Sequence, residues 1–294
     1  MSLPEHVTTA LTESGLDPIY VEDLVRATLE EDLDGGLDVT SVATVPDEQR
    51  AHAVLSPREP GVVAGLPVVM AVFAAAGPDL AIEIHAADGD RVSAAQRLLI
   101  VEGRTRHLLL AERTALNLAA RMSGIATATR AWTDALDGLK ARVRDTRKTT
   151  PLLRPLEKYA VRVGGGVNHR SSLAEAALIK DNHVVAAGGV AAAYRATRAA
   201  FPDLDIEVEV DDVAGALEAV EAGAETILLD NFSVDDVSEA VQHIGDRATL
   251  EVSGGLSLND ARAYGETGVN YLSVGALTHS VRALDLGLDI ESVG

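Results

Sequence analysis

From residue 141 onward the chain repeats one pattern, short β-branched or aliphatic runs alternating with alanine-rich stretches of helical period. Strands are predicted at Ala141–Arg147, Ala176–Lys180, Ile206–Val210, Thr226–Leu229, Thr249–Val252 and Tyr271–Val274. Helices fall between them at Pro151–Arg162, Gly189–Ala200, Val213–Ala222, Val234–His243 and Leu258–Glu266. Gly164–Gly166 and Gly223 read as left-handed helix stops, and Ser233 and Ser257 as N-caps. Strands separated by a helix pair in parallel, and a parallel sheet needs helices on its faces. The spacing, roughly 20–35 residues, is that of a βα barrel unit. Six units are visible, fewer than eight, so the barrel is expected to be incomplete or open.

The first ~105 residues do not share this rhythm. A helix is predicted over Pro18–Glu31, followed by the turn-rich Asp34-Gly35-Gly36, with a second helix near Leu66–Ala76. Ala51–Leu55, Gly61–Val63 and Ala81–His85 read as strands, and Asp88–Val92 with Leu98–Glu102 as a hairpin pair. Such a hairpin resembles those of lipoyl and biotinyl carriers, but no lysine precedes Lys140, which excludes that role. A long helix, Thr105–Leu136, leads into the barrel.

Aromatic residues make up only 3% of the 294, so the core must be built from Ala, Val, Leu and Ile, as suits buried parallel strands. No apolar run approaches the ~18 residues of a spanning helix, and Met-Ser-Leu-Pro-Glu-His lacks the features of a secretory signal. The absence of cysteine excludes disulfides, thiolate zinc sites and cysteine nucleophiles, and a cytoplasmic protein is expected. A formal charge of −20 argues against nucleic acid or an anionic membrane as partner. Against that background the stretch Arg142–Arg170 carries +6, and all four lysines (Lys140, Lys148, Lys158, Lys180) lie close together. A solvated helix face would explain part of this. Arg and Lys together also suit small polyanions, the one through bidentate forks and the other as a point charge.

Reactive groups of a βα barrel sit at the C-terminal ends of its strands. The first strand ends in Asp145-Thr146-Arg147-Lys148-Thr149-Thr150 and the second in Lys180-Asp181-Asn182-His183. The third contains Glu207 and Glu209, and the fourth ends in Asp230-Asn231. The fifth ends in Ser253-Gly254-Gly255 and the sixth in Gly275-Ala276. Cations thus gather on the first two strands and acids on the next two. Glu209 and Asp230 could hold Mg²⁺ or pair with the cations of the first strands, or both. Of Glu207 and Glu209 one is expected to point inward, not both, with Val208 and Val210 sharing the opposite face. Ser253-Gly254-Gly255 and Gly275 suit phosphate, held by backbone N–H groups and a helix N-terminus. Lys180 could form a Schiff base, but its acidic neighbours favour an electrostatic clamp. His169-Arg170, after a glycine-rich loop, are read as ligand contacts; His6, His52, His107, His243 and His279 as structural or surface residues.

Taken together, these residues resemble the quinolinate phosphoribosyltransferases (carboxylating nicotinate-nucleotide pyrophosphorylases). The likeness covers nearly the whole chain. It is carried by Glu30-Glu31-Asp32-Leu33, Asp38-Val39-Thr40-Ser41, Glu112-Arg113-Thr114-Ala115-Leu116-Asn117 and Ser123-Gly124-Ile125-Ala126-Thr127. More specific are Asp145-Thr146-Arg147-Lys148-Thr149, Gly164-Gly165-Gly166-Val167-Asn168-His169-Arg170 and Ile179-Lys180-Asp181-Asn182-His183. Glu207-Val208-Glu209-Val210, Leu229-Asp230-Asn231-Phe232 and Ser253-Gly254-Gly255 complete the set.

The resemblance implies an N-terminal α/β sandwich over residues 1–115, joined by the tail 283–294, and an open parallel α/β barrel over 116–282. It implies a homodimer in which Arg113 is lent across the interface. Quinolinate would be held by Arg113, Arg147, His169, Arg170 and Lys180. Phosphoribosyl pyrophosphate would be held by Lys148, by Mg²⁺ at Glu209 and Asp230, and by Ser253, Gly254, Gly255 and Gly275 at its 5′-phosphate. Lys148, Lys180, Glu209 and Asp230 would be the catalytic set, acting by alignment and charge neutralisation. The nearest alternative is a paralogous phosphoribosyltransferase of the same fold, associated with molybdenum transport. The clamp of Arg147, His169, Arg170 and Lys180 suits a dicarboxylate better, since a monoacid would leave cations unpaired. A Schiff-base aldolase or a non-catalytic binding protein of this fold is a more distant alternative.

Overall fold

The computed structural model describes residues 3–293. In chain order its elements are α1 (Glu5–Glu13), α2 (Pro18–Leu33), α3 (Val39–Thr44), β1 (Arg50–Pro57), β2 (Gly61–Val62), α4 (Leu66–Ala76), β3 (Ala81–Ile84) and β4 (Arg91–Val92). Then come β5 (Leu99–Arg104), α5 (Thr105–Ala135), β6 (Arg142–Arg144), α6 (Arg154–Val163), β7 (Ala177–Ile179), α7 (Asp181–Ala187), α8 (Val190–Ala200) and β8 (Ile206–Val210). The remainder is α9 (Val213–Glu221), β9 (Thr226–Asp230), α10 (Val234–Ile244), β10 (Thr249–Ser253), α11 (Ala261–Glu266), β11 (Tyr271–Ser273), α12 (Ala276–His279) and β12 (Leu286–Val293). No helix among the described residues is long and apolar enough to cross a membrane.

The chain divides into two compact units. The first comprises the residues up to Ala128, Pro155–Gly164, and those from Val281 onward; the second comprises Thr129–Arg154 and Gly165–Ser280.

The first unit is built on an antiparallel sheet of order β12-β1-β5-β3. Its strand β1 is buried from Ala53 to Pro57, flanked by β12 on one side and β5 on the other. Helix α2 starts at Asp17, whose side chain accepts the Ile19 N–H, with Pro18 in the first turn. It buries Val21, Val25 and Leu29 at four-residue spacing, a single apolar stripe, and packs on the wholly apolar α4. The predicted hairpin does not form: β4 pairs with β2, whereas β5 pairs with β1 and β3. Asp88, just before β4, instead ties this segment to α4, accepting the N–H groups of Gly65 (2.7 Å) and Leu66 (3.0 Å) at the start of that helix. Its carboxylate also accepts the hydroxyl of Tyr159 on α6. Beside it, Arg121 donates to the buried Glu157 at 2.9 and 3.1 Å. These contacts assign most of α6 to the first unit, although the βα rhythm reads it as the barrel's first crossover.

The second unit carries a six-stranded parallel sheet of order β6-β11-β10-β9-β8-β7. It is an unclosed barrel, since β6 and β7 are not paired with each other. Beside β6 runs the loop after Gly165, bound by a parallel bridge between Arg144 and Val167. The N–H of Val167 donates to Val143 and its carbonyl accepts from Asp145. Within β8 the expected split between Glu207 and Glu209 is wrong. A strand repeats every two residues, so both glutamates face the barrel interior and Val208 and Val210 face away. Helix α7, opening at Lys180, was not anticipated; it is short and buries none of its residues.

Candidate active site

The C-terminal ends of the six strands enclose a cavity of about 640 Å³. Asp145, fully buried at the end of β6, organises one wall. One of its oxygens accepts the backbone N–H of His169 at 2.8 Å and the other the side-chain amide of Asn168 at 2.6 Å. Together with the Val167 bridge, this fastens the glycine-rich loop to β6 and brings His169 and Arg170 to the cavity. Gly165, at φ +93°, supplies the left-handed turn that the loop needs.

Arg147, Lys148, His169, Arg170 and Lys180 all line this one cavity. The Nε atoms of Arg147 and Arg170 are buried without a hydrogen-bond partner. Burial, and then the charge of Arg147, push the Arg170 guanidinium below its ordinary value, while one of its Nη atoms donates to the Ala176 carbonyl at 2.7 Å. Crowded cations with unmatched donors are what an anion would satisfy. Lys148 is tethered by its own carbonyl, which accepts the Thr278 hydroxyl at 2.8 Å. Its side chain crosses Gly275 so closely that a Cβ there would meet Lys148 Cδ at 2.9 Å.

The acids stand on neighbouring strands of the same wall. Glu209 on β8 is ion-paired with Lys180. Asp230 at the end of β9 accepts Ser253 Oγ at 2.6 Å and the Asn231 side-chain amide at 2.8 Å. Gly254 has φ +94°, and a Cβ there would lie 2.2 Å from Asn231 Oδ1 and 2.8 Å from its backbone nitrogen, so only glycine fits. Gly255 and Gly275 complete this end with Ser253. One layer deeper, Glu207 lies 2.6 Å from His169 Nε2, and Glu251 on β10 accepts from Arg144 at 2.5 Å. Burial, and then the charge of Glu207, raise the Glu251 carboxyl above the ordinary range, against the pull of Arg144 and His169.

The chain matches two family models, "Quinolinate phosphoribosyl transferase, N-terminal domain" over residues 38–123 and its C-terminal domain over 125–289. The chain belongs to the quinolinate phosphoribosyltransferase family. It is 54% identical over 275 residues to the carboxylating nicotinate-nucleotide pyrophosphorylase of Mycobacterium leprae, covering 91% of this chain and 96% of that one. To the probable enzyme of that name from Bacillus subtilis it is 38% identical, covering 94% and 95%. Among solved structures, NadC from Streptococcus pyogenes superposes with a TM-score of 0.90 at 38% identity, over 95% of this chain and 98% of that one.

Of the quinolinate phosphoribosyltransferase residues singled out from sequence, Arg147, Lys148, His169, Arg170, Lys180, Glu209, Asp230, Ser253, Gly254, Gly255 and Gly275 line the cavity. Arg113 does not; it lies on α5 in the first unit, largely exposed, with Glu112 4.0 Å away. His279, read as structural or surface, lines the cavity beside Gly275. Glu251 is not among the residues singled out from sequence, and Arg144 enters there only as part of the basic stretch Arg142–Arg170. The signal was present: Glu251 lies two residues before Ser253, so it faces the same side one layer deeper.

Proposed function

We propose that this chain transfers the phosphoribosyl group of phosphoribosyl pyrophosphate to quinolinate with loss of CO₂, giving nicotinate mononucleotide and pyrophosphate for NAD synthesis. The observation that carries the reading is one cavity in which five cationic or imidazole side chains from three chain segments face a pair of acids on β8 and β9. Two mutually repelling polyanions can share one pocket only if such a cation cluster neutralises them.

Arg147, His169, Arg170 and Lys180 are assigned to the two quinolinate carboxylates. Lys148, with Ser253, Gly254, Gly255 and Gly275, is assigned to the phosphates, where backbone N–H groups suit a 5′-phosphate. Lys180 is engaged by Glu209, which suits a clamp better than a Schiff-base nucleophile. Glu209 and Asp230 fit Mg²⁺. They are hard oxygen donors on adjacent strands, both at the cavity, and one or two carboxylates plus substrate oxygens make up its usual set. Bound there, the ion would stabilise charge on the departing pyrophosphate.

The protein's own task is alignment. The cation cage holds the pyridine nitrogen against C1 of the ribose, so that the C1–N bond forms as the C1–O bond to pyrophosphate breaks. The pyridinium so formed withdraws electrons from the bond to the adjacent 2-carboxylate; CO₂ leaves, and the electron pair left on that ring carbon takes up a proton. Lys148, Lys180, Glu209 and Asp230 are the catalytic set in this reading. A homodimer in which Arg113 reaches the partner's site is part of the proposal, supported by the exposure of that side chain. So is a cytoplasmic location, since a chain without cysteine depends on no oxidising compartment. The deciding experiment incubates the protein with quinolinate, phosphoribosyl pyrophosphate and Mg²⁺ and measures CO₂. Release of CO₂ with formation of nicotinate mononucleotide is expected; no CO₂, with nicotinate accepted instead, overturns the reading.

A further inference from the structure

The deepest charged layer of the barrel is used by none of the contacts assigned above. Glu207 Oε2 lies 2.6 Å from His169 Nε2, and Glu251 Oε1 lies 3.9 Å from the same atom. The other Glu251 oxygen accepts from Arg144 Nη1 at 2.5 Å. Arg144 in turn donates from Nε to the carbonyl of Asn168 at 3.3 Å and lies over the Tyr271 ring. His169, Glu207 and Glu251 are 8%, 7% and 0% exposed, and each glutamate keeps its Oε1 buried without a hydrogen-bond partner.

Two buried carboxylates this close are costly, and packing does not require them. On β9, between the two strands, the inward residue in register with both Glu209 and Glu251 is Leu228. Glu207 is in register with Thr226, so the strand between the two glutamates carries no charged residue at either level. What the pair does accomplish is to hold one residue by two routes. Glu207 grips the His169 ring directly. Glu251 orients Arg144, which fixes the Asn168 carbonyl, that is, the peptide leading into His169.

We propose that Glu207 and Glu251 are positioning residues for the dicarboxylate substrate: acting through His169 and Arg144, they fix the imidazole at the cavity wall without touching substrate themselves. The inference rests on the assignment of His169 to a quinolinate carboxylate. It separates the two substrates, because the side chains of both glutamates engage His169 and Arg144 rather than the phosphate-binding end formed by Ser253, Gly254, Gly255 and Gly275.

The test uses the full-length enzyme and its variants Glu207→Gln, Glu207→Ala, Glu251→Gln and His169→Ala, with the Glu207→Ala/His169→Ala double, in steady-state kinetics varying each substrate. Glu207→Ala is expected to raise the KM for quinolinate about tenfold or more, the loss of one hydrogen bond to a charged group. The KM for phosphoribosyl pyrophosphate should stay within about twofold. Glu207→Gln, which keeps an acceptor oxygen and the side-chain shape, should recover much of the loss. In the double variant the effect of Glu207→Ala should vanish, since it acts only through His169. Equal increases in both KM values, or additive effects in the double variant, would overturn the proposal. So would a stoichiometric metal ion in the purified protein that is lost on Glu251→Gln, because the carboxylates would then be ligands. If Glu207→Ala fails to fold, Glu207→Leu, which removes the acceptor but fills the space, takes its place in the same cycle with His169→Ala. A wild-type protein that releases no CO₂ would sink the functional reading itself; a working wild type with additive variants would sink only this inference.

Discussion

Arg147 and Arg170 each bury an Nε without a protein acceptor, an arrangement that costs stability unless a ligand completes it. Arg147→Ala or Lys180→Ala should therefore lower turnover by about 10²–10³, the range for removing one electrostatic donor, while leaving the melting temperature near that of the wild type. Wild-type rates in either variant would refute the assignment. Asp88 offers a test of a different kind. Burial outweighs its hydrogen bonds from Tyr159, Gly65 and Leu66 and raises its pKa. The folded protein then keeps a proton that the unfolded chain releases near pH 3.9. The stability owed to this group is complete below that pH and is lost as the pH rises through the raised folded value. Asp88→Asn removes this slope, so urea midpoints measured from pH 4 upward should fall less steeply in the variant. An unchanged slope would show that Asp88 does not titrate between the two states in that window.

Elements carry the glycine requirements and show what a sequence can and cannot reveal. Gly254 follows β10 in a left-handed conformation, packed against the backbone of Asn231 after β9. Gly254→Ala should cost about 1–2 kcal/mol for the backbone conformation alone and more for the clash. It should raise the KM for phosphoribosyl pyrophosphate above that for quinolinate, as steady-state kinetics would show. The barrel strands were legible because each is a compact aliphatic run between helical stretches, and with the strand ends fixed, the cavity residues from Arg147 to Gly275 followed. The facing of Glu207 and Glu209 was equally legible, since a strand's period settles it, yet it was misjudged. What the residues alone could not give are pairings set by distant partners. Asp88 meets Tyr159 across 71 positions, and together with the Arg121–Glu157 pair that contact draws α6 out of the barrel's rhythm. Helix α7 was missed because Asp181–Ala187 is too short for a helical period to emerge, and it buries no face that would mark one.

At the scale of the whole molecule the contrast is between a formal charge of −20 and a cavity lined by cations. The surrounding charge repels the polyanionic substrates at long range, and the cavity attracts them at short range. Both effects are screened by salt. Because the cavity field acts on the bound charges, kcat/KM for quinolinate should fall by about 3- to 10-fold between 0.05 and 0.5 M NaCl. An ionic-strength-independent kcat/KM would mean that the cavity cations do not govern capture. The sheet of the first unit has a consequence for the order in which the protein is made. Its strand β1 ends at Pro57, but the neighbour that covers one of its edges, β12, begins only at Leu286. At about 5–20 residues per second a ribosome needs roughly 10–45 s to synthesise what lies between. Throughout that interval a buried-type strand stands with one row of backbone groups unpaired, open to pairing with another nascent chain. On a polysome a chaperone would be needed to cover this edge until β12 emerges.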